Sequence, residues 1–89
     1  MEFEFDETKS QLNLNKHGMD FLAAQQLWDD LDRLEVPARS NIEPRFSVTG
    51  KIDQKMWSAV ITYREGKVRL ISVRRARKEE VTAYDRQNN

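Results

Sequence analysis

The chain has 89 residues with 15 lysines and arginines against 15 aspartates and glutamates, room for one domain and one modest core, so any activity must share a surface with whatever binds it. Leu, Ile, Val and Phe number 21, enough apolar chain to fold despite the charge, and with no cysteine neither a disulfide framework nor a thiolate metal site is possible. The opening MEFEFDE is too acidic for a secretory signal and no apolar run nears membrane-spanning length, which points to the cytoplasm and away from a membrane.

Phe3 and Phe5 alternate with Glu2 and Glu4, as in a short strand or extended arm. Asp6 can cap a helix reaching about Lys16, with Gly18 as its left-handed stop. Lys9, Asn13, Lys16 and His17 then share one polar face, at i, i+4, i+7 and i+8. His17 is the sole histidine; imidazole suits proton transfer near neutral pH, but a place at a helix C-terminus also suits an imidazolium structurally. Asp20 caps a second helix whose Phe21, Ala24, Leu27 and Trp28 form a core stripe. Asp29, Asp30 and Asp32 end it and read as solvated charge rather than as a metal site. Leu31, Leu34 and Val36 suggest a strand ended by Pro37, followed by a loop to Pro44.

From Arg45 the pattern turns to strands: Arg45–Thr49, Met56–Tyr63 and Val68–Arg75, consecutive and antiparallel. A two-residue turn at Glu65–Gly66 pairs Tyr63 with Val68 and Trp57 with Arg74. That register puts Ser72 and Arg74 on the face of Trp57, Ala59 and Leu70, with Arg69, Ile71, Val73 and Arg75 opposite; a one-residue slip exchanges them. Residues 76–86 form a helix with Glu80 and Tyr84 one turn apart. The whole reads as a single domain, 1–89.

The charge is unevenly placed. Residues 1–44 hold 10 acids and 4 bases, residues 45–89 hold 5 acids and 11 bases, and 7 of those bases crowd into 64–78. Such a stretch is the usual footprint for phosphate, with Arg45, Arg64, Lys67, Arg75 and Arg77 as candidate RNA contacts beside Lys9 and Asn13. Arg69 and Arg74 on a packed strand suit a phosphate oxygen pair, and equally suit ion pairs with Glu79, Glu80 or Asp85. Cutting RNA without a metal needs a proton acceptor, a proton donor and fixed positive charge. Arg45, Arg69 and Arg74 can supply the charge; Glu43, Glu80, Tyr84, Lys16 or His17 can move protons.

These motifs, taken in order, resemble the BrnT toxin family. Phe5, Asp6, Lys9, Asn13, Lys16-His17-Gly18 and Phe21 match its opening; Glu43, Arg45 and Gly50 its middle; Arg69, Ser72, Arg74 and Ala76 its Arg-x-x-Ser-x-Arg-x-Ala; Glu80 and Tyr84 its last helix. Two positions depart from the family's usual residues, Phe5 for tryptophan and Val73 for alanine. The resemblance implies an α+β, RelE-like fold, two N-terminal helices and a C-terminal helix around an antiparallel sheet of three to four strands. It also implies a ribonuclease toxin that stops translation and growth until an antitoxin binds it. On this reading Arg69 and Arg74 grip the phosphate, Ser72 orients it, Lys16, His17 and Tyr84 are the proton-transfer candidates, Glu80 fixes an arginine, and no cofactor is needed. The implied partner is a BrnA-like antitoxin with a ribbon-helix-helix part, forming a 2:2 heterotetramer that reaches operator DNA only through the antitoxin. The rival reading is a non-catalytic nucleic-acid-binding or adaptor module using the basic 64–78 hairpin.

Overall fold

Asp6 starts the first helix, its carboxylate accepting the Lys9 amide at 3.0 Å, and Gly18 ends it at φ +80°, where a side chain would be strained. This helix, α1 (Glu7–His17), leads into α2 (Phe21–Ala24), capped by Asp20 through the Ala23 amide at 2.8 Å. α2 is one turn long and tightens into a 3-10 segment, Gln25–Asp29, where a full second helix was expected. The apolar stripe is nonetheless in place: Phe21, Ala24 and Leu27 are buried, and Trp28 lies at the core margin, edge-on to Phe3 with 4.9 Å between ring centres.

The computed structural model describes residues 1–89. Besides α1 and α2 it has strands β1 (Phe3–Glu4), β2 (Leu34–Ala38), β3 (Arg45–Ile52), β4 (Lys55–Arg64) and β5 (Lys67–Arg75), and helix α3 (Lys78–Gln87). The strands form one sheet in the order β1-β5-β4-β3-β2. The expected RelE-like antiparallel sheet of three to four strands with two full N-terminal helices is thereby overturned. The sheet has five strands and is mixed, because β1 lies parallel to β5, Phe3 opposite Val68 and Glu4 opposite Arg69. The arm is drawn there by its two phenyl rings, which pack against the core while the Glu2 carbonyl accepts the Val68 amide at 2.9 Å. Pro37 sits inside β2 rather than ending it, which is possible because β2 is an edge strand and can spare the N–H proline lacks.

The tight turn at Glu65–Gly66 sets Tyr63 opposite Val68. Further along the ladder slips: Ile61 faces Leu70, Val60 faces Ser72, and Ile71 is left over as a bulge, so Trp57 pairs with Arg75 and not with Arg74. A regular ladder would have turned Arg74 into the core and Val73 out of it. Burying an unpaired guanidinium costs far more than one bulge, and Val73 is fully buried. Val48, Trp57, Ala59, Ile61, Val68, Leu70 and Val73 thus share one face with Phe21, Ala24 and Leu27, while α3 crosses the other face against β2 and β3.

β1 covers only the start of β5, leaving its outer edge open. Asn13 closes it from α1: its side-chain oxygen accepts the Val73 amide at 3.1 Å, and its amide nitrogen donates to Val73 O at 2.8 Å and Met19 O at 2.7 Å. A side chain here takes the place of a neighbouring strand. No helix is long and apolar enough to cross a membrane.

Candidate functional site

The bulge decides the site. On β4, Thr62, Val60 and Ser58 alternate onto one face, and their partners on β5 are Arg69, Ser72 and Arg74. All three predicted phosphate-handling residues therefore share the sheet face away from the main core, where the expected register had split them. Ser47 and Thr49 of β3 and Val36 and Leu34 of β2 continue the same rows. Arg45 pairs with Ala38 at the Arg69 end, and Thr62 there donates its hydroxyl to Pro44 O at 2.6 Å. Arg69 and Arg74 stand opposite residues four apart on β4, roughly 13 Å by strand rise.

Each arginine on this face is met by a carboxylate. Arg74 Nη1 and Nη2 donate to the two Glu80 oxygens at 2.7 and 2.9 Å, Arg69 Nη1 lies 3.1 Å from Glu4, and Arg45 lies 3.8 Å from Glu43. Glu80 is the most tightly held: it also accepts the Arg77 amide at 2.7 Å, closing the first turn of α3. Burial alone would push its carboxyl up, but the Arg74 bonds and the Arg77 amide outweigh that and hold it at about 2. The same bonds raise the already high value of Arg74 against a weaker effect of burial. Of the two alternatives expected for Arg74, the ion pair with the following helix is present, and its partner is Glu80. Of the five N–H groups of Arg74, three are used, two on Glu80 and a shared Nη1 contact to Arg75 O at 3.2 Å. The Nε–H and the second Nη2 hydrogen point the same way and bond nothing in the protein, a two-pronged donor held in place by Glu80. Beside this pair lie the buried hydroxyls of Thr49 and Ser58, 2.7 Å apart, which the sequence reading did not single out.

Other candidates sit elsewhere. Lys9, Asn13, Lys16 and His17 line a shallow cleft of about 220 Å³ with Ile71 and Ser72, around the edge of β5; Ser72 alone belongs to both places. Asn13 is buried and its amide is spent on backbone groups. Arg75 lies on the opposite face, its guanidinium 5.5 Å from the Trp57 ring centre. Arg64 and Lys67 flank the hairpin turn, Lys67 3.7 Å from Glu2, and Arg77 is the exposed cap of α3. Tyr84 is 5 % exposed and its hydroxyl donates to Asp30 at 2.8 Å; burial first, then that bond, push it up to about 12. Asp30 is accordingly no free helix-end charge. It also accepts the amides of Lys51 and Asp32, and although burial works the other way, these bonds lower its carboxyl. Gly50 makes the space: a Cβ there would come within 3.1 Å of the Asp30 carboxylate and 3.2 Å of Leu27.

Residues 5–80 match the model of a family described as ribonuclease toxin, BrnT, of type II toxin-antitoxin systems. No curated protein matches the chain.

Proposed function

Since the chain belongs to the BrnT family of type II ribonuclease toxins, we propose that it cuts RNA on this sheet face without a metal, by attack of a 2′-hydroxyl on the adjoining phosphate. The observation that carries the reading is the fork of Arg74, oriented by Glu80 and left open on a face that also bears Arg69 and Ser72. In the reaction the 2′-oxygen bonds to phosphorus as the 5′-oxygen leaves, giving a cyclic phosphate and a free 5′-hydroxyl. The crowded phosphate gains charge that two parallel N–H donors are shaped to meet. Arg69 and Arg45, one end of the face away, hold the flanking chain. Glu80 is a poor base because it stays ionised far below neutral pH, and the Tyr84 hydroxyl is committed to Asp30. The proton-transfer role falls to Lys16 and His17, whose cleft meets the phosphate face at Ser72. Arg64, Lys67 and Arg77 add phosphate contacts along the rim.

A toxin of this class is matched by an antitoxin. For this chain we assign a BrnA-like partner with a ribbon-helix-helix part, two copies of each in the complex, acting in the cytoplasm. The test is cleavage of one sequence supplied as RNA and as DNA, with excess chelator and no antitoxin. The RNA should be cut and the DNA left whole. Loss of cleavage in chelator with rescue by magnesium would remove the metal-free mechanism, and shifted but intact RNA would leave a binding module.

A further inference from the structure

Beside Arg74 the sheet face deepens into a cleft of about 300 Å³ under α3, lined by Arg74 and Glu79 and floored by Leu34, Val36 and Val60. We propose that this cleft is a base-reading pocket that takes a guanine next to the scissile phosphate, with the Glu79 carboxylate accepting the N1 and N2 hydrogens of the base. The inference rests on the function proposed above and adds its specificity.

Position is the first argument. A nucleotide whose phosphate sits on the Arg74 fork has its base within reach of a cleft that shares Arg74 as a wall. The volume lies at the lower end for small-ligand sites and suits one base rather than a helix or strand of protein. Its floor sets aliphatic side chains, Leu34, Val36 and Val60, around the hydroxyls of Ser47 and Thr49. Val36 is 41 % exposed in an edge strand and Val60 is half-buried in a central one, leaving aliphatic surface for a ring to rest on with hydroxyls beside it.

Charge is the second argument. Glu79 and Glu80 are neighbours with different tasks: Glu80 is bound by Arg74, whereas Glu79 takes part in none of the four ion pairs. Glu79 is near enough to help hold the charge of Arg74, so a phosphate is drawn to one end of the cleft and repelled from the other. A carboxylate only accepts, through two oxygens side by side. Guanine alone among the four bases presents two parallel N–H donors on its pairing edge. Adenine and cytosine offer one amino group beside an acceptor, and uracil one N–H between two acceptors.

The experiment maps cut ends in a random-sequence RNA pool and, separately, measures binding of guanosine 3′-monophosphate and adenosine 3′-monophosphate to the intact protein. Guanine should be enriched about tenfold at one fixed position beside the cut, and the guanosine nucleotide should bind about tenfold tighter, as one good bidentate contact allows. Glu79→Gln, at a solvent-exposed position that makes no ion pair, should keep the melting temperature and bring both ratios below about threefold. Cleavage with no base bias, or a bias that Glu79→Gln leaves intact, overturns the pocket while sparing the ribonuclease reading. If RNA is not cut at all, that reading fails, and the nucleotide arm still decides the pocket: equal binding overturns it. Protection of Leu34–Ala38 by the cognate antitoxin, with none from either nucleotide, would give the cleft to the protein partner instead.

Discussion

Arg74 and Glu80 form a unit in which the carboxylate aims the guanidinium and leaves two of its five donors free. Arg74→Lys keeps the charge but loses the planar fork. Cleavage should fall by about a hundredfold to a thousandfold, the usual cost of one preorganised donor, with little change in melting temperature. A purely structural pair would show the reverse, a stability change of about 1 kcal/mol or less and unchanged turnover. Glu80 adds a pH signature. Its carboxyl titrates at about 2 in the folded protein against an ordinary value of 4.5, so its stabilisation is complete above 4.5 and disappears as the pH falls toward 2. Glu80→Gln should be less stable than the parent at neutral pH, and the gap should close through that window in urea unfolding. A gap that stays constant with pH would show that the ion pair contributes nothing. The sequence made the residue types of this site legible, since arginines, a serine and a helix-borne glutamate in that order suit phosphate. It could not place them on one face, because the register turns on whether Val73 or Arg74 is buried.

At the level of elements, α3 is attached chiefly by polar contacts. The Arg74–Glu80 pair holds its first turn, the Tyr84–Asp30 bond its middle, and Asn88 reaches Asp32 O at 3.1 Å beyond its end. Tyr84→Phe keeps the ring and removes the bond to a charged acceptor, so it should cost about 2 kcal/mol. The folded-state value of Tyr84, about 12 against an ordinary 10.0, means that its stabilisation is full below 10 and lost as pH rises toward 12. The parent should therefore lose its advantage over Tyr84→Phe in alkaline unfolding curves; parallel curves would count against the bond. The caps of α1 and α2 were readable because Asp6 and Asp20 meet amides three residues ahead. β1 was readable as a short strand from the alternation of Phe3 and Phe5 with Glu2 and Glu4, but its parallel place beside β5 was not, because its partners lie 65 positions on. The length of α2 failed for another reason: its apolar stripe fits an α-helix and a tightening 3-10 turn alike.

Across the whole molecule, the acidic first half and basic second half are folded against one another. Three of the four ion pairs, Glu2–Lys67, Glu4–Arg69 and Glu43–Arg45, join one half to the other. The free sheet face is thus less positive than the run of bases in 64–78 suggests, and a neutralising partner has to cover it physically rather than merely cancel its charge. In complex with the antitoxin, hydrogen exchange should slow in β5 beyond the bulge and in α3; protection confined to α1 and α2 would show that the toxin is blocked from the other side. The bulge itself leaves a mark on how the chain can vary. Up to Leu70 the even-numbered residues of β5 face the core, and from Val73 onward the odd-numbered ones do. A saturation mutagenesis profile of this strand should therefore show a phase jump at Ile71, with intolerance of polar substitutions moving from 68 and 70 to 73.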